Sequence, residues 1–224
     1  MTRARTAALL GLIVAGAILG YGYWRHTRPR WLKCALHAHT TLSDGVLSPD
    51  ALKDVYAAQG YDVLAITDHD VDGAGGRYGD MLILPGNEVT QSDHHMVRLG
   101  TGADQVRILA HPNWSELPPH RFSEAAHGAM FGAVISHEAL ADIWELMTRY
   151  DAWEAFNGNT DTSTASTDKY QPKTNKPRLA VDDAHGLHHI GQGVTWVYAR
   201  PREREILQAI RAGLVRVETR ENVK

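Results

Sequence analysis

The sequence predicts an α/β domain with largely parallel strands. Short apolar runs alternate with amphipathic stretches along most of the chain, and this order is typical of strands joined by helices. The chain has 224 residues, of which 43% are hydrophobic and 22% charged, so it is long enough to bury one substantial core. Histidine and acidic residues follow most of the apolar runs, which predicts a functional site at one edge of the domain.

The strands and helices are predicted from these runs in order. The predicted strands occupy residues 32–36, 62–67, 81–85, 95–100, 107–110, 152–156, 178–181 and 194–199. Ser48 and Pro49 predict the start of a helix that ends at Gly60, since Ser is a good N-cap and Pro suits the first turn. Further helices are predicted over residues 137–150 and 201–213, where apolar residues recur at helical spacing.

The first 30 residues differ from the rest of the chain. Two arginines precede an uncharged run over residues 6–24, and further basic residues follow it. The run is long enough to span a bilayer, so residues 1–30 are predicted to be an uncleaved membrane anchor, with a cleaved signal peptide as the alternative. The domain of residues 31–224 is then expected outside the cytoplasm. Within it, the polar segment 159–176 is predicted to be a long loop or a disordered segment.

The composition argues against two classes of protein. A net charge of −3 and a pI near 6.5 argue against a general nucleic-acid-binding protein, because such proteins usually carry a basic stripe. The single cysteine, Cys34, excludes an intramolecular disulfide and a cysteine cluster for zinc, and is expected to be a buried hydrophobic residue. The 13 histidines are therefore the unusual feature.

Polar residues with metal-binding groups follow six of the predicted strands. They are His37, His39, Asp68, His69, Asp70, Glu88, His111, Asn157, Asp182, Asp183 and His185. If the strands form a barrel, these side chains gather at its carboxyl end, where α/β barrels carry their active sites. Taken singly, each has an ordinary alternative, such as an accidental pair in a strand, a helix cap or a solvated loop.

The chemistry of this set favours metal ions. Several imidazoles and carboxylates in one cleft are costly to bury unless a cation neutralises and organises them. The set offers imidazole nitrogen and carboxylate oxygen but no thiolate, which favours zinc, manganese or iron. So many candidate ligands predict at least two ions, bridged by a carboxylate at a separation of about 3.5–4 Å.

Seven sequence motifs then identify a family that the chain resembles. In order they are LHAHTTLSDG, ITDHD, PGNEVT, HHMVRLG, ILAHPNW, WEAFNG and DDAHG. They resemble the motifs of the PHP (polymerase and histidinol phosphatase) metallophosphoesterases, from about Leu32 to His185. The resemblance implies a distorted seven-stranded (β/α) barrel of PHP type, with its metal centre at the carboxyl ends of the strands. In this chain the N-terminal transmembrane or signal segment predicted above would precede the barrel.

The resemblance also implies ligands for up to three ions. The ligands of the first ion are His37, His39, Glu88 and Asp183. Glu88 bridges to the second ion, which is also bound by His95, with His94 as the rival to His95. The ligands of the third ion are Asp44, His69 and His185.

The roles of four further side chains remain open at this stage. His111 matches a motif position at the site and is expected to bind metal or contact the substrate, and His111 and His185 are the candidates to protonate the leaving group. Asn157 stands where trinuclear members often have a histidine. It is expected to be a weak metal ligand or a substrate contact. The number of ions is therefore left at two or three. Arg77 is predicted to bind the phosphate, with a solvated loop arginine as the alternative.

The function implied by the resemblance is metal-dependent phosphoester hydrolysis by a metal-bound hydroxide. Two or three divalent ions (Mn, Zn or Fe) are the expected cofactors, and a small phosphorylated molecule is the expected substrate. A carbon-centre hydrolase of the amidohydrolase type is one alternative. Those barrels commonly use a lysine-derived or additional histidine bridge, whereas no lysine follows a strand here and Glu88 fits the bridging role better. A membrane-tethered metal-binding module without catalysis is the other.

Overall fold

The computed structural model describes residues 3–91, 95–111, 148–159 and 175–220. These residues form eleven strands, β1 to β11, at Arg30–Ala35, Val63–Ala65, Gly76–Tyr78, Met81–Leu84, Gly86–Thr90, His95–Leu99, Val106–Leu109, Ala152–Asn157, Arg178–Val181, Gly193–Ala199 and Val215–Thr219. The α-helices in the same residues are α1 (Arg3–Thr27), α2 (Pro49–Ala58) and α3 (Glu203–Arg211). Short 3₁₀ turns lie at Gly102–Asp104 and Leu187–His189. The predicted α/β class is confirmed.

The strands form two sheets with a parallel group in each. The strand orders are β11-β10-β1-β2-β4-β3 and β5-β6-β7-β8-β9. In the first sheet β1, β2 and β4 are parallel neighbours, and in the second β7, β8 and β9 are. The remaining pairs are antiparallel, including β1 with β10 and β5 with β6.

The two sheets meet just beyond the carboxyl ends of their parallel strands. Ala38, after β1, forms a parallel bridge with Ala184, after β9. His69, after β2, forms a second parallel bridge with Glu88 in β5. Residues that follow strands of different sheets are therefore brought to one place.

A closed barrel is not found among the residues that the structure describes. The strand pairs divide into two separate sheets, and the β-bridges described between them are two isolated ones instead of a continuous ladder. The confirmed architecture is thus a mixed α/β fold of two sheets. The seven-stranded barrel stays a prediction.

The main core draws on both sheets and on α3. Fully buried members include Leu32, Val63, Leu99, Ile108, Leu179, Val197, Leu207 and Ile210. Cys34 is buried among them, and this burial raises the pKa of its thiol well above the ordinary value. The inert, hydrophobic role expected for this cysteine agrees with that environment. A second cluster joins Leu52 and Tyr56 of α2 to the first sheet.

The helices agree with their sequence signals, whereas three short strands were not predicted. The Ser48 hydroxyl accepts a hydrogen bond from the Ala51 N–H (3.3 Å), and Pro49 is the first residue of α2. The unpredicted strands are β3, β5 and β11, and Glu88 lies within β5 instead of in a loop. Most of the predicted helix at 137–150, residues 137–147, lies outside the described residues. So does most of the predicted loop at 159–176, residues 160–174.

The N-terminal helix α1 is attached at the amino-terminal end of β1. Arg25 near the end of α1 and Arg30 at the start of β1 both donate to the Asp62 carboxylate, at 3.0 Å and 2.7 Å. Among the described helices, we find none that is both long enough and apolar enough to cross a membrane. The anchor, the signal peptide and the domain boundary at residue 30 stay predictions.

Candidate metal centre

The eight predicted metal ligands lie together where the two sheets meet. Their ligand atoms form three groups, within each of which the atoms lie no more than 4.8 Å apart. We refer to them as the His37 cluster (His37, His39, Glu88 and Asp183), the Asp44 cluster (His39, Asp44, His69 and His185) and the His95 cluster (His69, Glu88 and His95). Shared residues join the three clusters into one centre. His94 lies outside the described residues.

The His37 cluster is buried and has the dimensions of a site for one ion. The Nε2 atoms of His37 and His39 are 3.0 Å apart, and each is 3.1 Å from Oε2 of Glu88. Oδ1 of Asp183 lies 3.3 Å and 3.2 Å from the same two nitrogens. Two ligand atoms that each bind an ion at about 2.1 Å can be separated by at most about 4.2 Å. All these separations are shorter than that limit.

Glu88 presents its two carboxylate oxygens to different histidines. Oε2 faces the His37 cluster and lies 3.4 Å from Nδ1 of His69. Oε1 instead lies 3.1 Å from Nδ1 of His95 and 2.9 Å from Nε2 of His111. A carboxylate between two groups of ligands has the arrangement of a bridge between two ions. His111, which was expected to bind metal or contact the substrate, is thereby placed beside the His95 cluster.

The buried charges of the centre depend on one another. Burial by itself raises the pKa of Glu88, but His37 and His111 outweigh it and hold the pKa far below its ordinary range. Burial lowers the pKa of His37, yet the carboxylates of Asp183, Glu88 and Glu154 hold that pKa well above the ordinary imidazole value. Buried carboxylates require compensating positive charge, which protons or metal ions can supply.

The Asp44 cluster forms the more exposed side of the centre. The Asp44 side chain is 52% exposed, whereas those of His37 and Glu88 are almost completely buried. Nε2 of His185 lies 3.1 Å from Oδ2 of Asp44, and Nδ1 of His185 lies 2.9 Å from the backbone oxygen of Asp183. A carbonyl only accepts, so Nδ1 carries a proton, and Nε2, which faces the Asp44 carboxylate, is the nitrogen that an ion would bind. The Asp44 cluster is thus the side of the centre that faces solvent.

The donor set of the His37 cluster fits a divalent ion. Nδ1 of His37 lies 2.7 Å from Oε1 of Glu154, so Glu154 holds a proton on Nδ1 and Nε2 can present its lone pair to an ion. Oδ1 of Asp183, which faces that lone pair, is buried and accepts no hydrogen bond from the described residues. A lone pair and a buried carboxylate oxygen that face each other are stabilised by a cation between them. Imidazole and carboxylate without thiolate suit zinc, manganese or iron.

Two residues of the centre lie on strained backbone. His111 and Asp183 have φ angles of +24° and +48°, in the left-handed region that residues other than glycine rarely adopt. Such conformations persist where surrounding contacts hold them, and they concentrate at functional sites. The backbone N–H of His111 is held by Oε2 of Glu154, at 2.7 Å.

The loop after β1 is held in place by Asp68 and by a glycine. The Asp68 carboxylate accepts hydrogen bonds from the Thr40 N–H (2.7 Å), the Thr40 hydroxyl (2.7 Å) and the Ser43 hydroxyl (2.8 Å). Gly45 then packs directly on the backbone of His39, where a Cβ atom would lie 2.5 Å from the His39 oxygen. The loop that carries Asp44 can therefore take this path only with glycine at position 45.

The Gly45→Ala variant is expected to lose the ion of the Asp44 cluster and to retain that of the His37 cluster. The added methyl group must push the loop away from His39, which moves Asp44, whereas the buried ligands are held from other strands. Metal content per chain by mass spectrometry, after dialysis against a fixed free Zn²⁺ concentration, measures the loss. Gly22→Ala is the control, since nothing lies within 4 Å of a Cβ at that position. An unchanged metal content in Gly45→Ala would contradict the prediction.

Glu154 is a site residue that the predicted ligand set omits. It is fully buried in β8, where it contacts both His37 and the backbone of His111. The signal was present in the sequence, because Glu154 is the single charged residue in the apolar run AWEAF. A charge inside an apolar strand is seldom tolerated without a buried partner.

Asn157 lies behind the Asp183 carboxylate. It is fully buried, and its amide nitrogen donates to Oδ2 of Asp183 and to Oε2 of Glu154, both at 3.0 Å. Its amide oxygen accepts from the Asn159 N–H at 3.0 Å. Through these contacts the amide orients the Asp183 carboxylate from behind, and the predicted role as a weak ligand or substrate contact stays a prediction.

Arg77 is not brought to the centre. It pairs with Leu82 near the start of β4, and its guanidinium donates to the backbone oxygens of Asp80 (3.4 Å) and Pro201 (3.2 Å). Pro201 follows β10, whose last residue pairs with Arg30 at the start of β1. The centre lies beyond the other end of β1. The predicted phosphate contact is therefore corrected, because Arg77 lies at the opposite end of the sheet.

The fold and the C-terminal sequence both match known proteins. A family model for PHP-associated sequences matches residues 168–215. The fold is similar to the crystal structure of a two-domain protein containing a predicted PHP-like metal-dependent phosphoesterase from Bacteroides vulgatus ATCC 8482, with a TM-score of 0.62 and 15% identity. The resemblance to the PHP family is confirmed. The alignment covers 85% of this chain and 65% of the Bacteroides protein, so the PHP-like chain spans less than two thirds of that protein.

A second solved structure is also similar to this PHP-like chain. It is PsfC from Pseudomonas syringae PB-5123, with a TM-score of 0.50, 14% identity, and coverage of 85% of this chain and 92% of that one. No curated protein matches the sequence. At these identities the two structures establish the fold, and the ligand assignments in the PHP-like chain rest on its own geometry.

Proposed function

We propose that the chain is a metal-dependent phosphoesterase that hydrolyses a small phosphorylated substrate at a centre of two or three divalent ions. The observation that carries this proposal is the position of Glu88, whose two oxygens face separate groups of histidines at 2.9–3.4 Å. The name of the Bacteroides protein, a predicted PHP-like metal-dependent phosphoesterase, supports the same reaction.

The ligands divide among the ions according to the atoms that face one another. The first ion would be held by His37, His39, Glu88 and Asp183. The second would be held by Oε1 of Glu88 with His95 and His111. The third would be held by Asp44, His69 and His185. Ions bound there would supply a hydroxide nucleophile by lowering the pKa of water and would neutralise the charge of the phosphoryl group.

The chain's own groups divide the remaining work between a buried and an exposed side. His111 is 4% exposed and faces Glu88, which suits a ligand better than a proton donor to a departing alcohol. His185 lies on the exposed side of the centre, beside Asp44, where a leaving group can depart to solvent. We therefore assign metal binding to His111, and proton donation to His185 in a two-ion centre, where the third site is empty and Nε2 of His185 binds no ion.

The location of the protein is part of the proposal and rests on the sequence. The uncharged run over residues 6–24, flanked by basic residues, supports a membrane anchor or a signal segment. The phosphoesterase domain would then act outside the cytoplasm on small phosphoesters. The net charge of −3 argues against nucleic acid as the substrate.

The purified full chain is expected to hydrolyse p-nitrophenyl phosphate when Mn²⁺, Zn²⁺ or Fe²⁺ is supplied, and His37→Ala is expected to remove that activity. His37 is fully buried and supplies one of the four ligand atoms of the His37 cluster. Release of p-nitrophenol measures the reaction. His188→Ala is the matched control, because His188 belongs to none of the clusters.

Two further substrates separate the alternative functions. Hydrolysis of p-nitrophenyl acetate without hydrolysis of the phosphate would favour the carbon-centre hydrolase. Metal bound by the wild-type chain with no turnover of either ester, or of bis-p-nitrophenyl phosphate, would favour the metal-binding module.

A further inference from the structure

Strand β8 supports the metal centre from behind through two buried polar side chains. It lies between β7 and β9, and both Glu154 and Asn157 are fully buried. In a regular strand, residues three apart point to opposite faces. The pairing with β9 shifts register between Glu154 and Phe156, which marks a β-bulge. The extra residue turns Glu154 and Asn157 to the same side, where they are hydrogen-bonded at 3.0 Å.

The Glu154 carboxylate accepts hydrogen bonds that reach three ligands of the centre. Oε1 lies 2.7 Å from Nδ1 of His37, which follows β1. Oε2 accepts from the backbone N–H of His111 at 2.7 Å and from the Asn157 amide, which in turn donates to Asp183. The Glu154 side chain thus contacts residues that follow β1 and β7, which belong to different sheets. None of its contacts is to solvent, since it is 0% exposed.

We infer that Glu154 is a positioning residue of the metal centre, which fixes the tautomer of His37 and the orientation of His111 and Asp183. An imidazole can bind a metal through Nε2 only if that nitrogen carries no proton, and an acceptor at Nδ1 ensures this. The same carboxylate holds the N–H of His111 while that residue has a φ of +24°. The inference rests on the metal-binding part of the proposed function and is independent of the substrate.

The Glu154→Gln variant tests the inference because it keeps the size of the side chain and changes one acceptor into a donor. On the Oε2 side the new NH₂ group would face two N–H donors, those of His111 and Asn157. On the Oε1 side it would face only Nδ1 of His37, which can adapt by becoming an acceptor. The amide nitrogen is therefore expected on the His37 side. This moves the ring proton of His37 to Nε2 and blocks the ligand atom.

The test measures which ring nitrogen of His37 carries the proton and how tightly the protein binds Zn²⁺. In the full-length wild type without metal, at alkaline pH, long-range ¹H–¹⁵N NMR is expected to show the ring proton of His37 on Nδ1. In Glu154→Gln without metal, at alkaline pH, the ring proton is expected on Nε2, and the affinity for Zn²⁺ is expected to fall by about 10–100-fold. A role confined to stability would leave the proton on Nδ1.

Glu218→Gln is the control, because Glu218 also accepts a hydrogen bond in a strand, from Nε1 of Trp196 at 2.8 Å, and an amide oxygen can replace it. It is expected to keep the wild-type zinc affinity. A wild-type His37 protonated on Nε2 would overturn the inference even if Glu154→Gln failed to fold. Zinc bound by Glu154→Gln as tightly as by the wild type would also overturn it. Failure of the wild type to bind Zn²⁺ would instead defeat the proposed function together with the inference.

Discussion

Replacing Glu88 by glutamine is expected to abolish phosphoester hydrolysis and to remove more than one metal ion per chain. Glu88 is 1% exposed, and its oxygens face the His37 cluster on one side and His95 and His111 on the other. The amide keeps the volume but removes the charge and one of the two ligand oxygens. Loss of one preorganised electrostatic group commonly costs about 10²–10³-fold in rate, and a bridging ligand should cost at least that.

The measurement combines kcat/KM for p-nitrophenyl phosphate with metal content per chain. Asp44→Asn is the informative comparison, because Asp44 belongs to one cluster alone and its loss should remove one ion. Glu205→Gln is the control, since Glu205 forms ion pairs with the arginines Arg200 and Arg202, away from the centre. If Glu88→Gln lost the same number of ions as Asp44→Asn, the bridging role of Glu88 would be refuted.

The ligands could be predicted from the sequence because their positions follow from strand ends. His37, His69 and Asp183 come just after parallel strands, and the carboxyl ends of such strands meet at one edge. The motif spacing then separated ligands such as Asp44 from the polar residues around them. The structure brings all eight predicted ligands into the three clusters.

The support behind the ligands could not be predicted in the same way. Alternation along a strand places residues 154 and 157 on opposite faces, and the β-bulge that reverses this has no clear sequence signal. Asn157 was therefore predicted from its motif position alone, and its contact with Asp183 was missed. Arg77 was predicted from a glycine-rich loop, but residues 76–78 pair as a strand with β4 and carry it to the opposite end of the sheet. Short strands of three residues are set by tertiary pairing more than by local sequence.

Metal binding is expected to stabilise the protein against heat, and more strongly as the pH rises. The pKa values of His37, His39 and His111 are raised, because nearby carboxylates outweigh the effect of burial. Such histidines stabilise the metal-free protein below the unfolded-state pKa of about 6.5, and this contribution is lost as the pH rises through the folded-state values. The lowered pKa values of Glu88 and Asp183 act in the other direction, so their contribution is lost only at acidic pH.

At alkaline pH the metal-free centre therefore keeps its carboxylates charged, whereas its histidines lose their protons. A divalent ion replaces those protons, and it binds only neutral imidazoles, so both effects make its contribution larger at higher pH. At a free metal concentration 100 times Kd, one ion adds about 2.7 kcal/mol, or roughly 5–10 °C in Tm for a chain of this size.

Calorimetric scans with Mn²⁺ or with a chelator, at several values from about pH 6 to about pH 9, measure this difference in Tm on both sides of the ordinary imidazole pKa. The difference should widen with pH in the wild type. It should be much smaller in a His37→Ala/His39→Ala double variant, because these two nitrogens, 3.0 Å apart, face both carboxylates of the buried site. A difference that stays constant or narrows with rising pH would mean that metal and protons do not compete for the same nitrogens. The ions would then have to bind away from the buried histidines.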